Sequence, residues 1–211
     1  MNLSADQLRE NFDVLLKVID AKIASSPHRY IRLVGLHQKW YDRIATAPAS
    51  TKLSYHNAFP GGYVLHVLNV VKAVGLVADV WKKMSGKELD FTQEEMYFAA
   101  VCHDLGKIGT NTEDNYLPCE EQWMLKKGQM YVMNPKIQYM KTAERSLMIL
   151  QSEGIEMSEK EYLAIKLHDG LYEEANKSYY ISYSEDYALK TSLPYILHQA
   201  DLIASKSEEK R

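Results

Sequence analysis

The chain has 211 residues, 46% hydrophobic and 25% charged, with only 10 glycines and 6 prolines; this excludes a disordered or fibrous protein and is enough for one substantial core. Its net charge of -3 arises from 25 Lys and Arg against 28 Asp and Glu, which excludes a general field for gathering polyanions. Stable binding of duplex nucleic acid is therefore not expected, and any phosphate must be held locally. Two cysteines, Cys102 and Cys119, argue against a disulfide framework and point to a reducing, cytoplasmic setting.

Ser4 with Gln7 three residues on has the spacing of a capping box, and Leu8, Phe12, Leu15, Leu16 and Ile19 follow at helical intervals, predicting a first helix. Charges interrupt its apolar positions, so neither signal nor anchor is read there, and no stretch of the chain is expected to span a membrane. Leu33, Leu36, Trp40 and Ile44 predict a second helix from about Arg29 to Thr46, stopping before Pro48. The segment 47–62 is rich in Pro, Ser, Thr and Gly and reads as a structured loop carrying His56.

From Tyr63 to about Lys83 the sequence is apolar around most of a helical circumference, as in a helix buried within a bundle, and it contains His66. The next helix starts at Thr92 as N-cap, with Glu94 and Glu95 in its first turn, and runs to Gly106, delivering His103 and Asp104 at its end. Residues 109–135 break the helical pattern, and a small β-hairpin is expected near 120–134, turning at Lys126, Lys127 and Gly128. Helices resume at 135–152, 158–168 and 192–204, with a polar stretch at 174–185. Neither repeat nor linker divides the chain. The expectation is one all-α domain over 1–211, with the helices of 1–50 packed on the bundle formed by the rest.

Four of these segments place ionisable groups where apolar packing is expected: His66, His103 with Asp104, His168 with Asp169, and His198 with Asp201. A single histidine of this kind is more often a hydrogen-bonded core residue than a ligand. Four sets together point to a metal, because buried charge is costly unless it is paired or coordinated. Mixed imidazole and carboxylate donors suit Mn, Fe, Ni or Zn. The donors come from distant segments, so the site can exist only after the bundle forms. His198 and Asp201 share a helix face, where His198 could support the aspartate.

The order H...HD...D, carried by His66, by His103-Asp104-Leu105-Gly106-Lys107 and by Asp201, resembles the HD-domain metal-dependent phosphohydrolase superfamily. The run YHNAFPGGYVLH, with His56, Gly61, Gly62 and His66, is similar to the H-x-A-x-x-G-G-x-x-x-H run of YhaM-type exoribonucleases and conjugative-relaxase HD modules. AIKLHDG and ILHQADLIASK resemble the A-I-x-x-H-x-G and L-H-x-x-D-x-x-x-x-K stretches of the YhaM-type domains, so the likeness covers 54–206. One departure is K-T-A-E-R-S, with Thr142 where related hydrolases often present a histidine.

The resemblance implies an HD-type helical bundle and one divalent ion (Mn, Fe, Ni, Zn or Mg) held by His66, His103, Asp104 and Asp201. It leaves His168 free to touch substrate or to take a second, weaker ion. Attack of a metal-activated water would cleave a phosphate mono- or diester of a nucleotide or short oligonucleotide, with Asp104, Lys107, His168 and His56 as the catalytic group. Alternatives remain open: a non-catalytic ligand-sensing or scaffold module, Lys107 as a cation closing a helix end, and structural support for His56 and His168. Lys136, Lys141 and Arg145 could contact phosphate or line a solvated face. Tyr63, Tyr172, Tyr179 and Tyr180 could stack on a base or pack at the rim, and Cys102 is expected to face the core.

Overall fold

A computed structural model describes residues 3–209. Three helices start at reciprocal capping boxes. The Ser4 hydroxyl accepts from the Gln7 N–H, and the Gln7 side chain accepts from the Ser4 N–H, opening α1 (Ala5–Lys22). The Thr92–Glu95 and Ser158–Glu161 pairs open α5 (Gln93–Cys102) and α8 (Glu159–Leu167) in the same way.

The expected second helix is two. α2 (Pro27–Lys39) begins with proline in its first turn and ends at Trp40, and the short α3 (Tyr41–Thr46) follows. Leu36, Trp40 and Ile44 are all buried, so the apolar spacing runs unbroken across the joint and conceals it. α4 (Gly62–Ser85) enters through Gly61, whose φ of 84° is left-handed, and through Gly62, where a Cβ would lie 2.0 Å from the Asn57 carbonyl oxygen. By length and composition α4 could cross a bilayer, contrary to the expectation that no stretch would. Its first part packs inward, with Tyr63, Val64, Val67, Val70 and Val74 buried, while Leu76, Val80 and Met84 toward its end are exposed.

α10 (Leu193–Glu208) makes its most extensive packing against α4, and both lean on α5; α8 lies against α10 and α5. α10 runs one turn past the expected end at Ala204. α7 begins at Thr142, not Pro135 (Thr142–Ser152), because the Asn134 side chain accepts from the Lys136 N–H and Lys141 stays extended. The expected ribbon forms from β1 (Tyr116–Pro118) and antiparallel β2 (Tyr131–Met133), in register Tyr116 to Met133. Its first strand lies ahead of residue 120, and α6 (Gln122–Leu125) occupies the connection, so Lys126 to Gly128 close a helical turn. α9 (Lys177–Tyr180) falls in the polar stretch before α10. One buried cluster joins Phe12, Leu15 and Ile19 of α1 and Leu33 of α2 to Val67, Phe98, Leu150, Ile165 and Leu197, so the N-terminal helices pack on the bundle.

His37 on α2 is fully buried; its Nδ1 donates to the Leu33 carbonyl at 2.8 Å, while Nε2 has no partner. Burial pushes its imidazole down from 6.5 to about 4. A histidine with a depressed folded pKa contributes stability that is present above pH 6.5 and lost as pH falls toward 4. Wild type should therefore lose about 2 kcal/mol more than His37→Leu between pH 7 and pH 4.5 in urea unfolding. Equal losses would show that the ring is protonated inside the fold.

Candidate metal centre

His66 projects from the buried side of α4, and His103 caps the end of α5. Asp104 follows immediately, and Asp201 comes across from α10. His66 Nε2 lies 3.0 Å from Asp201 Oδ1 and 3.5 Å from Asp104 Oδ2; His103 Nε2 lies 3.5 Å from Asp104 Oδ2 and 3.9 Å from Asp201 Oδ1. Donors about 2.1 Å from one ion stand about 3 to 3.5 Å from each other, so this spacing fits four donors around a cation. Ligand atoms of His66, His103 and Asp201 all lie within 4.8 Å of one another, as do those of His103, Asp104 and His168.

The state of the imidazoles supports the fit. His66 Nδ1 pairs with Glu208 Oε2 at 3.0 Å, and His103 Nδ1 donates to the Ala100 carbonyl at 2.8 Å. Both Nε2 atoms are buried without a hydrogen bond; that of His66 is near Asp201 but lacks the geometry to donate. With Nδ1 committed as donor, Nε2 is the nitrogen that points inward and, once it gives up its proton, offers the lone pair a metal ligand requires. Each buried polar atom left unpartnered otherwise costs about 1 to 3 kcal/mol.

The electrostatics agree. Burial works against charge on Asp104, yet Lys107 and then His103 hold its carboxyl well below the usual range. Asp201 is likewise held low by His66 and His103 against its desolvation. Burial opposes a charged His66, but Asp201 and Glu208 outweigh it and raise the ring to about 9. His168, also desolvated, is raised to about 10 by Asp169 and Asp104. A divalent cation would meet the same negative field and displace these protons.

Lys107 sits in a 3-10 turn, Leu105–Ile108, with Nζ 2.6 Å from Asp104 Oδ2. That turn is clamped by Ser146 of α7, whose hydroxyl donates to the His103 carbonyl at 2.9 Å and accepts from the Gly106 N–H at 2.8 Å. His168 Nε2 is 3.5 Å from Asp104 Oδ1, and the His56 ring lies 4.5 Å from that of His66. Burial, then Lys107, pushes His56 down to about 3. His56, Asp104, Lys107, Thr142, His168 and Asp201 line one cavity of about 230 Å³; His66 and His103, fully buried, lie against its Asp201 and Asp104. A larger groove of about 610 Å³ between α4 and α10, lined by Leu76, Val80, Trp81 and Met84, carries no ionisable side chain and is not this site.

Other expectations separate. His198 lines the cavity, but its Nδ1 donates to the His168 carbonyl at 2.8 Å and so braces that backbone, not Asp201. Arg145 is buried and donates to the Gln138 carbonyl at 2.7 Å, and Lys141 pairs with Glu173 at 2.5 Å. Tyr63 is wholly enclosed and cannot stack on a ligand, and the Tyr180 hydroxyl is taken by the Leu167 and Pro194 carbonyls. Tyr172 is exposed at the cavity rim. Glu208 and Ser146 were missed. Glu208 stands two turns beyond Asp201, so reading the last helix to its true end would have placed it on the same face.

No family model, curated protein or solved structure matches the chain. Fold and site together define a mostly helical protein with a buried histidine–aspartate cluster that could hold a metal ion.

Proposed function

We propose that the protein is an HD-type phosphohydrolase that cleaves a phosphate mono- or diester of a nucleotide or short oligonucleotide. One divalent cation would be held by His66, His103, Asp104 and Asp201. The observation that carries this reading is the pair of buried, unpartnered Nε2 atoms facing two carboxylates held in their charged form. When bound, the cation supplies Lewis acidity toward a phosphoryl oxygen and acidifies water near neutral pH.

The chain's own groups supply the rest. Lys107 brings a fixed positive charge to the cavity, suited to phosphoryl oxygens that gain charge during transfer. His168 commits Nδ1 to the Ile165 carbonyl at 2.8 Å, so Nε2 is the atom through which it exchanges a proton with a leaving oxygen. His56 lines the same cavity with its ring 4.5 Å from that of His66. A cavity of about 230 Å³ accepts a phosphate with its adjoining sugar, leaving the base at the rim beside exposed Tyr55 and Tyr172. Both cysteines are free and buried, as suits a cytoplasmic enzyme.

The test is a hydrolysis panel of nucleoside monophosphates, cyclic nucleotides and short oligonucleotides with Mn²⁺, Co²⁺ or Mg²⁺. Wild type should turn over at least one class, and Asp104→Ala should lose that activity by at least about 100-fold. Metal uptake with no turnover of any class by wild type would replace this reading with the sensing or scaffold module.

A further inference from the structure

The structure assigns a further member to the metal centre: we propose that Glu208 is the positioning residue that fixes the His66 ring for the cation. This rests on the metal reading above. An imidazole can present either nitrogen, and the partner at the other one decides which. His103 and His168 cap the ends of α5 and α8, and each donates Nδ1 to a carbonyl three residues back, Ala100 and Ile165, where helix-terminal carbonyls are free. His66 differs. It sits inside α4, and its Nδ1 partner is a side chain from another helix.

That partner is Glu208. Its Oε2 lies 3.0 Å from His66 Nδ1, and its Oε1 accepts from Asn69 Nδ2 at 2.6 Å, so both carboxylate oxygens are engaged by α4. The Glu208 side chain is only 6% exposed. Asp201 Oδ1 stands 3.0 Å from the Nε2 edge of the same ring. One helix thus grips His66 from both edges, with a ligand on one side and an orienting carboxylate on the other. A carboxylate at Nδ1 also strengthens the ring as a donor, and loss of such a partner typically lowers metal affinity by about 10 to 100-fold. Asn69, three residues after His66, holds the carboxylate in line.

Titrating cobalt into wild type, Glu208→Ala, Glu208→Gln and Asn69→Ala, read by visible absorption, tests the assignment. Glu208→Ala should weaken cobalt binding by about 10 to 100-fold, with stoichiometry and band positions unchanged. Glu208→Gln, which keeps an acceptor for Nδ1, should recover part of that loss, and Asn69→Ala should show a smaller loss. Equal affinity in wild type and Glu208→Ala would overturn the orienting role. So would a changed stoichiometry or spectrum, which would make Glu208 a direct ligand with His56 and His66, whose donor atoms also lie within 4.8 Å. No cobalt uptake by wild type would overturn the metal centre itself, and this role with it.

Discussion

Asp201→Ala is expected to weaken divalent-cation binding by more than about 100-fold, since a group one shell further out already costs about 10 to 100-fold and a direct donor costs more. Thermal and urea unfolding with and without Mn²⁺ measure it. An ion at about 1,000 times its dissociation constant stabilises the fold that binds it by about 4 kcal/mol. Wild type should show that gain and the variant no more than about 1.4 kcal/mol. Asp201 is partly exposed, with its side chain at 19%, so its removal opens no hole in the core and the metal-free variant should fold. A gain of wild-type size in the variant would take Asp201 out of the ligand set.

The second large effect concerns stability alone. Arg29 of α2 donates through Nη1 to both oxygens of Glu161 on α8, at 2.8 and 3.0 Å, and through Nη2 to Glu94 on α5, while its guanidinium lies 4.6 Å from the centre of the Phe98 ring. Glu161 is fully buried and also accepts the Ser158 N–H at 2.7 Å. Burial raises the Glu161 carboxyl despite Arg29, whereas Arg29, itself desolvated, is raised by its two acids. The attraction thus roughly offsets the cost of burying the pair, and the penalty falls on whoever removes one member. Glu161→Ala should destabilise the fold by about 3 to 5 kcal/mol in urea unfolding at pH 7. Combining it with Arg29→Met should restore much of that loss. A single-variant cost below about 1 kcal/mol would mean that Glu94 alone satisfies Arg29.

Features set by neighbouring residues were legible in the sequence. The capping box at Ser4 and the N-cap at Thr92 need only near neighbours in the chain, and both formed, whereas at Ser158 the sequence reading predicts only the start of a helix and not the box. His66, His103, Asp104, His168 and Asp201 stood out because each breaks an apolar pattern, and the structure brings them together. What escaped depends on contacts between distant segments. The joint at Trp40 preserves the apolar spacing on both sides. β1 is three residues long and is defined by its pairing with β2. Glu208 looks like one more charge on a solvated end until α4 is placed beside it. Arg29 and Glu161, fitting anywhere on a polar face, reveal nothing of their partnership in sequence.

His66 and Glu208 are 142 positions apart in the chain, and the proposed donors join α4, the end of α5 and α10. Coordination there would act as a reversible cross-link, closing a very long loop whose entropy an open chain must otherwise regain. α10 could not peel away from α4 without first surrendering the ion. The cation would then set how long a folded molecule persists, and a chelator would be felt first as faster opening of the last helix.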